Sequence, residues 1–224
     1  MKLKSLVVNA ITFARVPLIF AWAAFAVAQE LGCGKGLVFA VLACAAMLFS
    51  GLTDLWDGKL ARKWRVVSAL GKMADPLMDK VFYIVAFPTL LWIVLHRGGE
   101  GCGAHALVML AFTVLYMLRD TWVTFLRSVG AMYGAEVAAM WLGKVRTALS
   151  FPGAGWVYVY LVFEPVLPLG TGGENEHLIR AGWLTSCFVV EGVLMALTLW
   201  SLVTYTSAYL PYLRKALSGD PAAK

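Results

Sequence analysis

A chain of 224 residues that is 61% hydrophobic and only 14% charged has too few polar side chains to coat a soluble domain of its size. The same proportions exclude a disordered chain, a collagen-like fibre and a small disulfide scaffold, and leave a polytopic membrane protein. The formal net charge of +6 then bears on topology and anionic ligands, with no nucleic-acid partner expected.

A spanning helix takes about 20 mostly apolar residues. Six stretches satisfy this: residues 6–28, 36–58, 75–96, 104–126, 145–168 and 181–209. The expected fold is therefore an all-α integral membrane bundle of six transmembrane helices in a single domain, with no internal repeat and no separate soluble unit. Lys2 and Lys4 before an apolar run ending in Ala26-Val27-Ala28 resemble a cleaved secretory signal. Asn9, Thr12, Arg15 and Pro17 interrupt that run, so a retained first helix is the reading adopted. Glycine-rich breaks follow at Leu31-Gly32-Cys33-Gly34, at Arg97-Gly98-Gly99-Glu100-Gly101 and at Pro168-Leu169-Gly170-Thr171-Gly172-Gly173. The last stretch is long for one crossing and is expected to run into an interfacial helix before Arg214.

Six spans place both termini on one side. With the N-terminus inside, the inner ends and loops hold Lys2, Lys4, Arg15, Lys59, Arg62, Lys63, Arg65, Lys72, Lys80, Arg119, Arg127, Lys144, Arg146, Arg214, Lys215 and Lys224, against Lys35, Arg97 and Arg180 outside. This asymmetry predicts a cell (inner) membrane protein with both termini cytoplasmic. Cys44 and Cys187 fall within spans as packing residues, whereas Cys33 and Cys102 fall in two outer loops, where an oxidising compartment would permit a disulfide. His96, His105 and His177 stand at outer ends and read as interfacial residues, and neither HExxH nor CxxC occurs. Trp22, Trp92, Trp156, Trp183 and Trp200 are candidates for interfacial belts, and Gly130 and Gly134 read as turn residues. Glu191, inside the last span, must be protonated, paired or held at a helix contact.

Ionisable residues at span ends mark a site by default. Asp54, Asp57, Asp75 and Asp79 join the inner end of the second span to the inner start of the third. Each pair shares a helix face, at i, i+3 and at i, i+4, so two facing helix ends would bring four carboxylates to one point. Such a cluster needs cations, and its hard oxygen donors select Mg²⁺, Mn²⁺ or Ca²⁺; two ions together suit displacement at phosphorus. Gly58 and Gly71 allow close approach of a ligand to the backbone, and Arg62 can fork onto a phosphate. The plainer alternative, helix-capping aspartates beside an ordinary basic loop, explains any one residue but not the set.

This stretch is similar to the signature of the CDP-alcohol phosphotransferase family, D-x2-D-G-x2-A-R-x8-G-x3-D-x3-D, at Asp54, Asp57, Gly58, Ala61, Arg62, Gly71, Asp75 and Asp79. The resemblance implies a six-helix bundle with a cytosolic site in which the four aspartates hold two Mg²⁺ or Mn²⁺ ions. It implies that Gly58, Ala61 and Gly71 leave room for the cytidine of CDP-diacylglycerol, that Arg62 binds its pyrophosphate, that Ser68 touches the nucleotide, and that Asp79 is the general base. It also implies a homodimer, since members often pair. The D-P-x-x-D-K form of Asp75 to Lys80 and the N-x-x-T-x-x-R opening at Asn9, Thr12 and Arg15 resemble the phosphatidylglycerophosphate and cardiolipin synthase branch, as does Trp141-Leu142-Gly143-Lys144-Val145-Arg146-Thr147. Arg146 replaces a lysine of that pattern, and Ser150 stands where glutamine is common. On these grounds Asn9, Thr12 and Asp57 join the expected CDP-lipid site.

Arg119, Arg127, Lys144 and Arg146 at the inner ends of the fourth and fifth spans suit a doubly charged acceptor such as glycerol 3-phosphate. Their alternative is positive-inside bias with anionic headgroup binding. Asp120 and Glu136 are candidates to orient these cations. Cardiolipin, phosphatidylinositol-phosphate and phosphatidylserine synthesis stay open as related chemistries. A cation-coupled transporter is the reading from another class, but it expects acids near mid-membrane.

Overall fold

The computed structural model describes residues 2–32, 36–64, 66, 69–98, 102–135, 141–163 and 174–218, excluding the side chains of residues 2–3, 69–76, 102, 142, 144, 163, 174–178 and 180. Six helices carry nearly all of it: α1 (Lys2–Glu30), α2 (Gly36–Trp64), α3 (Ala69–Arg97), α4 (Cys102–Met132), α5 (Trp141–Phe163) and α6 (Glu174–Ser218). No strand occurs among the described residues. The positive-φ glycines Gly32 and Gly98 follow the C-terminal ends of α1 and α3, where glycine adopts a left-handed conformation at no steric cost.

Most helices are longer than the apolar stretches that announce them. Hydropathy ends where charge begins, but backbone hydrogen bonding continues through Asp54 to Trp64 at the end of α2 and from Ala69 through the first turns of α3. The acidic motif therefore sits on helix ends, as its spacing requires. α6 runs unbroken for 45 residues through Pro211, so the expected interfacial segment before Arg214 is its direct continuation. Among the described residues five helices are long and apolar enough to cross a membrane: α1, α2, α3, α4 and α6. α5 has Arg146, Thr147 and Ser150 in its early turns, and residues 164–168 of its expected span lie outside the described residues. It is held by protein contact instead, with Ala154, Val157, Tyr158 and Leu161 buried.

α1 packs against α2 and α3, α4 against α3 and α6, and α5 against α3 and α6. α3 thus links both halves of the bundle. Tyr83, Phe87, Phe112 and Tyr116 interlock between α3 and α4 with ring centroids 4.7–5.6 Å apart, a geometry that adds to simple area burial. Leu37, Val41, Leu48, Leu107, Val189 and Val203 point outward, as a lipid-solvated surface allows.

Several expectations change here. Trp22 is no belt residue: it is 1% exposed and meets the Tyr158 ring edge-on at 5.3 Å. His105 is not interfacial either, because its Nε2 lies 2.8 Å from Oε1 of Glu191 in the buried α4–α6 contact. Glu191 needed a partner inside the span, and α6 turns it toward the one polar side chain that α4 offers there. Gly130 is not a turn residue but lies within α4, where a Cβ would collide with the Tyr209 ring of α6; Gly134 alone has the positive φ of a turn. Cys33 and Glu136 lie outside the described residues, as do the side chains of Cys102 and His177, while Cys44 and Cys187 are free thiols.

Candidate active site

Asn9, Thr12 and Arg15 recur at three-residue spacing on α1, so all three lie toward one side of that helix. α2 presents Asp54 and Asp57 to the same place, and α3 presents Asp79. The Thr12 hydroxyl donates to Oδ2 of Asp57 at 2.8 Å. The Arg15 guanidinium donates to Oδ2 of Asp57 and Oδ1 of Asp79, both at 3.3 Å, and to Oδ1 of Asp54. Arg15 is 4% exposed and Asp57 7%, whereas the Asp54 and Asp79 side chains are 55% and 39% exposed. The cluster is open on the side of Asp54 and Asp79 and closed behind Asp57.

Two cavities meet at these acids, each of about 450 Å³. The first is mostly apolar, bounded by Leu48, Leu52 and Leu55 of α2, Phe82 of α3 and Phe151 and Pro152 of α5, with Arg15, Asp54 and Asp79 at its polar end. At Gly51 a Cβ would lie 2.9 Å from the Phe151 ring, so glycine lets α5 close this wall. The second cavity is polar and holds Asp54, Asp79, Arg119, Arg127 and Arg146. Tyr83 borders both and donates to the carbonyl of Thr147 at 3.1 Å, tying α3 to α5.

The cations of the second cavity are arranged around Asp120. Its Oδ1 accepts from Nη1 of Arg119 at 2.9 Å and from Nη2 of Arg146 at 2.6 Å. Arg119 also donates to Ser201 of α6 and lies 5.0 Å over the Tyr205 ring, which Arg127 approaches at 5.9 Å. The Arg146 guanidinium sits 3.9 Å over the Tyr116 ring. Its Nε and Nη1, and Nε of Arg127, have no hydrogen-bond partner among the described residues. Donors left unmatched in a buried wall are costly without a ligand or water to satisfy them. Gly143 is needed here, since a Cβ would lie 3.1 Å from the Tyr205 hydroxyl and 3.3 Å from Nη2 of Arg119.

Of the residues singled out in the sequence, Thr12, Asp54, Asp57 and Asp79 thus share one centre, and Arg119, Arg127 and Arg146 share the adjoining cavity. Gly58 is open except for Nη2 of Arg62 at 3.8 Å from a Cβ position, Arg62 is exposed, and Ala61 and Asn9 are half-buried. Ser68 lies outside the described residues, as do the side chains at Gly71, Asp75 and Lys144. Arg15 is the participant that the motif named without a role; a lone cation inside an apolar helix was the signal available. Ser201, Tyr205 and Tyr83 gave no such signal.

The family model described as CDP-alcohol phosphatidyltransferase matches residues 5–204. The chain belongs to this family. Among curated relatives, the CDP-diacylglycerol–glycerol-3-phosphate 3-phosphatidyltransferase of Escherichia coli (strain K12) is 29% identical over 166 residues, covering 73% of this chain and 77% of that one. The enzyme of the same name from Yersinia pestis (strain Pestoides F) is 27% identical over 172 residues, covering 76% and 80%. The chain is therefore a membrane phosphatidyltransferase of phospholipid biosynthesis. Enzymes of this family generally depend on divalent metal ions. The donor set of this CDP-alcohol phosphatidyltransferase fits such ions: carboxylates of two helices reach one point, where they already surround a cation. Among the described side chains no three acids, histidines or cysteines close on a metal-sized space, and the guanidinium of Arg15 stands between them.

Proposed function

We propose that this phosphatidyltransferase transfers the phosphatidyl group of CDP-diacylglycerol to sn-glycerol 3-phosphate, giving phosphatidylglycerophosphate and CMP. The observation that carries the reading is the polar cavity in which Asp79 and three arginines line one space. A neutral acceptor such as serine needs no such lining, whereas a phosphomonoester brings about two negative charges that forked guanidinium donors match. The names of the Escherichia coli and Yersinia pestis relatives support the same acceptor.

In this reading Arg119, Arg127, Lys144 and Arg146 hold the acceptor phosphate, leaving its free hydroxyl toward Asp79. Asp79 takes the hydroxyl proton as that oxygen bonds to the lipid-side phosphorus, and the bond from this phosphorus to the CMP oxygen breaks in line. Arg62 grips the pyrophosphate, and Asn9, Thr12, Asp57, Gly58, Ala61, Ser68 and Gly71 frame the nucleotide. The apolar cavity receives the acyl chains. Asp54, Asp57, Asp75 and Asp79 would hold two Mg²⁺ or Mn²⁺ ions, whose chemistry is to neutralise the pyrophosphate.

The whole chain, 1–224, acts as one catalytic domain, a reading supported by a family match that runs through all six helices. It lies in the cell (inner) membrane with both termini and the site cytoplasmic, as the cation asymmetry of the sequence supports. Pairing into a homodimer belongs to the same proposal and is read by mass measurement in nanodiscs. For the activity, purified protein with CDP-diacylglycerol and Mg²⁺ or Mn²⁺ is offered glycerol 3-phosphate, inositol phosphate, serine and phosphatidylglycerol separately, and CMP release is followed. Release with glycerol 3-phosphate is expected. Equal turnover of serine overturns the acceptor assignment, and no CMP with any acceptor overturns the reaction.

A further inference from the structure

We propose that Arg15 is the internal counter-ion of the acidic cluster: it holds Asp54, Asp57 and Asp79 together, gives up their oxygens when divalent cations bind, and so sets the metal affinity of the site. The inference rests on the reading of these aspartates as metal ligands. Three carboxylates from two helices converge on one nearly buried guanidinium from a third. Without it, like charges would face each other with no other cation among the described contacts of Asp57, which keeps hydrogen bonds from the Thr12 hydroxyl and the Gly58 backbone.

Arg15 takes one oxygen of each aspartate, Oδ1 of Asp54, Oδ2 of Asp57 and Oδ1 of Asp79, so a divalent ion bound by the same three groups would meet the guanidinium at close range. Two cations cannot share these atoms at contact distance without strong repulsion. The fork of the arginine is not fully engaged, since its Nε finds no hydrogen-bond partner among the described residues. Its side chain lines the polar end of a cavity of about 450 Å³ beside Asp54 and Asp79, which leaves the guanidinium room to shift next to the carboxylates. A merely structural ion pair would leave metal affinity unchanged; a competing counter-ion lowers it in the intact protein. Arg15 is thus a positioning residue that exchanges with the ions.

The test uses the full chain purified in detergent, with Mn²⁺ binding followed by the loss of the free-ion paramagnetic resonance signal and unfolding followed by melting with and without Mn²⁺. Arg15→Gln is expected to bind Mn²⁺ about tenfold tighter, to melt lower in the presence of chelator, and to gain more from Mn²⁺ than the parent does. Arg15→Lys, which keeps a cation but loses the fork, falls between them and carries the test if Arg15→Gln does not fold. Lys215→Gln, an equal change of net charge at an exposed site, keeps the parent affinity. Parent-like or weaker Mn²⁺ binding in both Arg15 variants overturns the inference while leaving the ligand assignment standing. Failure of the parent to bind Mn²⁺, or binding that survives Asp54→Asn with Asp57→Asn, overturns the ligand assignment itself and the inference with it.

Discussion

A carboxylate serves as base only where an alcohol can reach it, and Asp79, the proposed base, borders both cavities with Asp54 and is partly exposed. Asp79→Asn keeps the shape but not the basicity, so kcat is expected to fall by about 10²–10⁴ with the melting temperature little changed; CMP release and a thermal scan check both. Asp120 acts at one remove. Its single oxygen Oδ1 fixes Arg119 and Arg146 together, and Asp120→Asn is expected to raise KM for glycerol 3-phosphate about tenfold while leaving KM for CDP-diacylglycerol near its original value. An equal rise in both would assign Asp120 to the general integrity of the bundle. The aspartates were legible in the sequence because their spacing alone puts them on shared helix faces. The role of Arg15 was not, because it depends on α1 lying against both α2 and α3, a fact of packing that no local pattern carries.

Between helices, polar contacts fix particular neighbours. His105 and Glu191 hold α4 to α6 near the N-terminal end of α4, and Oε2 of Glu191 has no further partner among the described residues. Glu191→Leu alone strands the imidazole and is expected to cost about 1–2 kcal/mol, whereas Glu191→Leu with His105→Leu recovers most of that loss, a coupling that a double-mutant cycle in reversible unfolding measures. Close approaches do comparable work at the inner end. Gly143→Val would press on Tyr205 and Arg119, and its expected signature is weaker acceptor binding with intact CDP-lipid binding. Helix existence was legible from runs of apolar residues. Helix ends were not, because the charged turns of α2 and α3 continue the backbone ladder after hydropathy has dropped, and because the choice of neighbours among six similar apolar helices is made by shape: Gly51 against Phe151, Gly130 against Tyr209, Gly153 against Leu194.

At the scale of the whole molecule, charge is scarce, and the proposed topology gathers 16 of the 19 lysines and arginines on the face that also carries the acids. Lys59, Arg62 and Lys63 on the end of α2 are exposed, and Lys80 and Arg127 stand at the rim of the polar cavity. The proposed dianionic acceptor, arriving from water, would meet this field before the site, and fields of this kind raise local ligand concentration in a salt-dependent way. The screening length shrinks from about 10 Å at 0.1 M salt to about 3 Å at 1 M, so distant cations fade first while Arg119 and Arg146, buried against Asp120, keep their contacts. KM for glycerol 3-phosphate is therefore expected to rise severalfold across that range with kcat much less affected, read from initial rates at fixed Mn²⁺ and fixed CDP-diacylglycerol in nanodiscs of neutral lipid. Lys59→Gln with Lys63→Gln should flatten the salt response without abolishing activity. A KM independent of salt would mean that the acceptor is held only by the buried arginines, and that the basic face serves membrane orientation alone.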